Sequence, residues 1–167
     1  MTTLHRAVLR TDVSPDDITR IGSLVTATGF FRSDEIDIAR ELVEERLARG
    51  AASGYHFALL DVETELAAYA CFGPVPCTVN RFDLYWIAVH PCFQRCGLGR
   101  RVLLAAEQQI GQMGGKRIYV ETSSRPLYLP TRSFYLACNY VLTAIVPDFY
   151  DDGDDKHIYL KMNGEPL

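Results

Sequence analysis

The 167-residue sequence lacks any apolar run of about eighteen residues, the minimum for a membrane-spanning helix, so no membrane partner is expected. It also lacks a dense basic tract. Its 17 basic residues are outnumbered by 21 acidic ones, for a net charge of −4. Recognition of a nucleic-acid backbone needs clustered positive charge, so no nucleic acid is expected either. The opening residues, Met1 to Arg6, lack the apolar stretch of a signal peptide, and the expectation is a cytoplasmic protein. Cysteine is sparse and odd in number: Cys71, Cys77, Cys92, Cys96 and Cys138 suit free thiols in a reducing compartment. Cys92 and Cys96 lack the second pair that a four-ligand zinc site requires. No metal is expected, and the two are read as small side chains in a buried turn. What remains is an ordinary globular composition, 48% hydrophobic and 23% charged, at a length that suits one domain with its own core.

Periodicity divides the chain into alternating elements. Residues 5–10 read as a short strand. Ser14 as cap and Pro15 in the first turn open a helix carrying Ile18, Ile21, Leu24 and Val25 on one face. After Gly29-Phe30-Phe31-Arg32, Ser33 and Glu35 begin a second helix with Ile38, Leu42 and Val43 on its apolar side, ending near Gly50. Two strands at about 55–61 and 65–72 form a hairpin, and a third apolar run spans Asp83 to His90. A long helix from Leu98 to Met113 shows Leu98, Val102, Ala106, Ile110 and Met113 on one face, and Gly114-Gly115 closes it. Residues 116–121 form a strand. A short helix follows at about 131–138, with Asn139 in a left-handed position after it. Two final strands, about 140–146 and 156–162, are joined by an acidic loop. Hairpins mixed with one crossover region indicate an α+β fold rather than a doubly wound sheet, and no linker divides it.

The segment Val89-His90-Pro91-Cys92-Phe93-Gln94-Arg95-Cys96-Gly97-Leu98-Gly99-Arg100-Arg101 carries the most chemistry. A strand ends, a polar loop turns, and glycines lead directly into a helix. Unpaired amides and the helix dipole favour an anion there, and Gly97 and Gly99 leave room for it to approach the backbone. Arg95, Arg100 and Arg101 add charge. A P-loop is excluded because no Gly-Lys-Ser/Thr follows. The dinucleotide fingerprint is excluded because Val102 occupies the third glycine position.

With its neighbours, this segment resembles the acetyl-coenzyme A signature of the GNAT N-acetyltransferase superfamily, Gln/Arg-x-x-Gly-x-Gly/Ala. It matches as Gln94-Arg95-Cys96-Gly97-Leu98-Gly99. Ile87-Ala88-Val89-His90-Pro91 resembles the strand and turn that precede the signature. Phe134-Tyr135-Leu136-Ala137-Cys138-Asn139-Tyr140 is similar to the family's Phe-Tyr-x-x-x-Gly-Phe/Tyr segment. Asn139 replaces the usual glycine, and Tyr128 stands where many relatives have a cofactor-binding asparagine. The resemblance implies a single N-acetyltransferase domain over about residues 4–162, with a mixed central sheet of about seven strands flanked by about four helices.

It also implies acetyl-CoA as co-substrate and direct attack by an amine in a ternary complex. Backbone groups of Ala88 and Val89 would contact the pantetheine arm. Gln94, Arg95, Cys96, Gly97, Leu98, Gly99 and Arg100 would surround the pyrophosphate. The resemblance points to Tyr135 as the acid that protonates the departing sulfur. An alkylamine titrates near about 10 and a thiol near about 8.5, so a base is needed as well. Glu121, at the end of the fifth strand, and Asp83, at the start of the fourth, are the two candidates beside a water relay. His90 is read as fixing its turn. Phe30 and Phe31 either wall the acceptor site or plug the junction of the first two helices. The acidic stretch Asp148, Asp151, Asp152, Asp154 and Asp155 is read as a solvated turn, with attraction of a cationic amine as the alternative. The expected partner is a small-molecule or peptide amine, and the expected state is monomer or homodimer. A non-catalytic acyl-CoA-binding regulatory module is the alternative to an enzyme.

Overall fold

A computed structural model describes residues 7–164, so His5 and Arg6, the start of the first expected strand, lie outside the described residues. The chain runs through β1 (Ala7–Arg10), α1 (Asp16–Thr28), α2 (Ser33–Arg49), β2 (His56–Val62), β3 (Glu65–Pro74), β4 (Arg81–Val89) and α3 (Leu98–Gln112). It continues through β5 (Arg117–Ser123), α4 (Leu129–Ala137), β6 (Val141–Asp151) and β7 (Asp154–Met162). The strands form one seven-stranded sheet in the order β1-β2-β3-β4-β5-β7-β6. β4 and β5 run parallel, whereas β1/β2, β2/β3, β5/β7 and β6/β7 are antiparallel. This is the expected α+β architecture, a mixed sheet flanked by four helices. The residues group into two compact units. One holds the chain up to Gly73 with Trp86–Gln108, and the other holds Pro74–Tyr85 with the chain from Gln109 onward.

In the first unit, α1 buries Ile21, Leu24 and Val25 with Phe57, Leu59, Leu66 and Tyr69. α2 adds Ala39 and Val43, while Ile38, expected on that face, is 46% exposed. The helix turns by about 100° per residue, and the stripe centred on Ala39 and Val43 leaves Ile38 outside it. β3 is buried continuously from Leu66 to Gly73, as its unbroken apolar run requires of a strand covered on both faces. The entry to α1 differs from expectation. Pro15 occupies the cap position with no side-chain cap bond, and Asp17 reaches back to accept the Ser14 N–H at 2.8 Å and the Ser14 hydroxyl at 3.1 Å. Asp17 is fully buried and paired with Arg10 at 2.6 Å, and Asp61 bridges Arg10 and Arg20 at 2.6 Å each. This four-residue network ties β1, α1 and β2 together.

In the second unit, α3 ends on Gly114-Gly115 as expected. Gly114 takes φ +79°, and a Cβ on Gly115 would collide with Ile110 and Phe82. Met113 lies just past the helix and is exposed, so the buried stripe stops at Ile110. α4 begins two residues earlier than expected, after a single turn of 3₁₀ helix at Pro126–Tyr128. Pro130 falls in its first turn, where the N–H it lacks would have had no helical acceptor. Asn139 takes φ +66°, the left-handed turn expected of it.

The expected acidic loop is mostly strand. β6 and β7 extend until only Asp152 and Gly153 join them. The carboxylates make this extension by bonding backbone amides. Asp148 accepts from Gly153 at 2.7 Å, Asp155 from Asp148 at 3.0 Å, and Asp151 from Asp152 at 2.9 Å.

Burial pushes the Asp17 carboxyl up, but the hydrogen bonds from Arg10 and Ser14 outweigh it and hold it below the usual carboxylate range. A lowered folded value contributes stability above the unfolded value of about 3.9 and loses it as pH falls through the folded value. Asp17→Ala should therefore lower the unfolding free energy by about 2–4 kcal/mol at pH 7, since it leaves buried donors unpaired. The deficit should shrink toward pH 2. Denaturant titrations of both proteins at the two pH values measure this.

Candidate functional site

The turn between β4 and α3 is built by two residues in the left-handed region, Arg95 (φ +61°) and Gly97 (φ +77°). His90 fixes its start: the backbone N–H donates to Ala67 O at 2.8 Å, and Nδ1 accepts from the Cys92 N–H at 3.3 Å. Gln94 donates from its side chain to Val89 O at 3.4 Å. The first helical amide with an acceptor is that of Arg101, which donates to Gly97 O at 3.1 Å. Leu98, Gly99 and Arg100 therefore present amides with no acceptor inside α3. Nothing lies within 4 Å of a Cβ placed on Gly97. Arg95, Arg100 and Arg101 are exposed, and no ion pair holds them among the described residues. Open amides, a helix N-terminus and three unpaired guanidinium groups make an anion seat.

Cys92 and Cys96 are exposed on this turn, which corrects the buried reading. The left-handed Arg95 swings the loop away from the core, and only Leu98 turns inward, at 1% exposure. Ala88 is buried on β4 and Val89 is half-buried.

In the second unit, β4 and β5 bring the two carboxylate candidates onto one sheet face. Asp83 pairs with Tyr119, so Glu121 lies two residues further along that face. β7 adds Lys156, whose Nζ sits 3.1 Å from Glu121 Oε2 and 3.8 Å from the centre of the Phe149 ring. Asp83 is half-buried, and among the described residues it has no hydrogen bond or ion pair. Burial raises its pKa first, Glu121 raises it further, and Lys156 opposes both. One carboxylate is thus held by an ammonium while its neighbour keeps a raised proton affinity.

Tyr135, on α4, is 4% exposed among the rings of Phe134, Tyr140 and Tyr159, at 5.6, 5.7 and 6.0 Å. Burial pushes its phenol well above the usual tyrosine value, with Cys138 adding to the effect. Arg132 anchors α4 to the end of β5 by donating to Ser123 O at 2.7 Å and Arg125 O at 2.9 Å. Phe31 packs against Trp86 at 4.8 Å and joins the core around α1 and α2, which favours the plug reading for it; Phe30 is half-buried. Tyr128 belongs to the 3₁₀ turn and donates its N–H to Arg125 O at 3.0 Å. Lys156 and Phe149 were not visible as site residues in the sequence. Their meeting depends on the β5/β7 register and on a shift in β6, and neither is readable from residue types. Among the described residues no cluster of three or more metal-ligating side chains occurs, and no helix is long and apolar enough to cross a membrane.

A model of the acetyltransferase (GNAT) family matches residues 24–140. Among solved structures, a chain from Desulfovibrio desulfuricans described as a GNAT-family acetyltransferase is 42% identical. Its TM-score is 0.94, with 95% of this chain and 100% of that one covered. The ribosomal-protein-S18-alanine N-acetyltransferase of Escherichia coli is 18% identical, with a TM-score of 0.75 and 97% of each chain covered. The PaiA N-acetyltransferase of Thermoplasma acidophilum, solved with coenzyme A, is 17% identical. Its TM-score is 0.71, with 94% of this chain and 99% of that one covered. The last two likenesses are of fold alone. No curated protein sequence matches the chain.

The carboxylate cluster has a direct readout. Lys156→Met removes a cation that lowers the Asp83 proton affinity, so the Asp83 titration midpoint should rise; Glu121→Gln should make it fall. Carbon-detected NMR titration of the aspartate carboxyls measures both shifts.

Proposed function

The chain belongs to the GNAT acetyltransferase family, and on that premise we propose that it transfers an acetyl group from acetyl-CoA to an amine by direct attack, with both substrates bound together. The observation that carries this reading is the start of α3, where three amides lack helical acceptors and three arginines have no ion-pair partner among the described residues. A pyrophosphate satisfies both at once, and the open space beside Gly97 admits it close to the backbone. Gln94, Arg95, Cys96, Gly97, Leu98, Gly99 and Arg100 would hold that group, and backbone groups of Ala88 and Val89 the pantetheine arm.

When bound, acetyl-CoA supplies an activated thioester carbonyl and a thiol leaving group. The chain supplies proton transfer. An alkylammonium at neutral pH must lose a proton before its nitrogen can attack. Asp83 or Glu121, directly or through a water relay, would take it. Lys156 pairs with Glu121, and the raised affinity of Asp83 moves its proton-accepting range up toward neutral pH. Tyr135 is assigned the opposite task. Its raised pKa keeps the phenol protonated across the working range, so it can donate to the leaving sulfur without prior activation.

Calorimetry with coenzyme A tests the donor site, and thiol release with a panel of amines tests turnover. Binding should weaken about tenfold or more in Arg95→Ala and Arg100→Ala, and it should weaken further in both with rising salt. No binding of coenzyme A by the parent protein overturns the reading. Binding without thiol release for any amine points instead to a non-catalytic acyl-CoA module.

Tyr135→Phe should lower kcat about 10²-fold or more with little change in coenzyme A affinity. The rate of the parent enzyme should rise with pH as Asp83, with its raised proton affinity, deprotonates. Asp83→Asn and Glu121→Gln show which member dominates that limb.

A further inference from the structure

Asp154, at the start of β7, is buried at 3% exposure, whereas Asp148, Asp151 and Asp152 beside it are exposed. Its carboxylate takes three partners on the segment that leaves β5. Oδ1 accepts the Ser123 hydroxyl at 2.5 Å and the Ser124 N–H at 3.2 Å, and Oδ2 pairs with Arg125 Nε at 3.0 Å. The same segment holds α4. Arg132 donates to Ser123 O at 2.7 Å and to Arg125 O at 2.9 Å. Tyr135 follows three residues later on that helix, close to one turn away. Arg132 also lies near enough to Tyr159 to oppose the upward shift that burial gives its phenol, and the Tyr159 ring packs 6.0 Å from that of Tyr135.

A buried carboxylate is costly unless its charge is paired and its oxygens are hydrogen-bonded. Apolar side chains could fill the same space without that cost. What the carboxylate adds is direction, because charge-assisted hydrogen bonds fix angle as well as distance. We propose that Asp154 is a positioning residue for Tyr135. It acts through Ser123, Arg125 and Arg132, which fix the end of β5 against α4 and so set where the phenol stands. The inference rests on the reading of Tyr135 as the acid for the departing sulfur. Proton donation requires hydrogen-bond reach, and a misplacement of about 1 Å caused far from the chemistry costs on the order of 10²-fold in rate. None of the anchoring residues belongs to the coenzyme seat at the start of α3, so the anchor acts on turnover and not on cofactor affinity.

A double-mutant cycle on the full chain tests the proposal, with kcat from thiol release by acetyl-CoA and the fastest amine of the panel, and coenzyme A affinity from calorimetry. Asp154→Asn keeps the shape and removes the charge. It should lower kcat about tenfold or more and change the coenzyme A dissociation constant less than about twofold. In a Tyr135→Phe background the same substitution should cost less than about twofold in kcat, because the group it positions is already gone. An equal loss in both backgrounds overturns the positioning role, as does an unchanged kcat in Asp154→Asn. A parent protein without thiol release, or a Tyr135→Phe protein with undiminished kcat, overturns the acid reading and this inference with it. Arg132→Lys leaves Asp154 in place and replaces the planar guanidinium by a point charge. It should give the same split between kcat and affinity, which answers the question even where Asp154→Asn does not fold. An Arg132→Lys protein with unchanged kcat, or with kcat and coenzyme A affinity lowered alike, overturns the proposal.

Discussion

The beginning of α3 leaves three amides that the helix cannot satisfy, and the turn before it is bent so that the loop does not satisfy them either. Arg95 and Gly97 both adopt left-handed backbone, a conformation that costs a residue with a Cβ about 1 kcal/mol or more. His90 anchors the incoming chain at Ala67, so the turn cannot relax by sliding along β3. Fixed dipoles, a helix end and unpaired arginines are thereby concentrated at one place before any ligand arrives. Such preorganisation lowers the ordering cost of binding a doubly charged group.

The paired carboxylates illustrate a second constraint. Parallel pairing of β4 and β5 places Asp83 and Glu121 near enough to raise the proton affinity of Asp83, and antiparallel β7 delivers one ammonium for the two acids. With Lys156 held against Glu121 and over Phe149, the charge is shared unequally. Position alone thus raises the proton affinity of Asp83. Tyr135 gains its own by burial among aromatic rings, an environment that opposes the phenolate and so preserves the acid form.

The acidic run of residues 148–155 is a largely exposed hairpin end whose turn is shorter than composition suggests. Aspartates and a glycine read as a solvated turn, with attraction of a cationic amine as the alternative. In the structure most of these carboxylates are occupied. Asp148, Asp151 and Asp155 accept backbone amides within the hairpin, and Asp154 is buried against Ser123 and Arg125. The hairpin is longer as a result, and that length carries β6 out to an edge exposed on both faces.

Read alone, the sequence determined the order of the elements, the buried stripes of α1 and α3, the glycine closure of α3 and the turn that opens it. Each depends on neighbours a few residues apart, where helical or strand period and backbone freedom act directly. The GNAT motifs were legible for the same reason: Gln94 to Gly99 and Phe134 to Tyr140 are contiguous. Tertiary structure alone decided that Cys92 and Cys96 face outward, that Phe31 packs on Trp86, and that Lys156 divides the two carboxylates. It also decided that β6 lies uncovered. These outcomes turn on strand register and on side chains distant in sequence, where a shift of one residue moves every side chain to the opposite face.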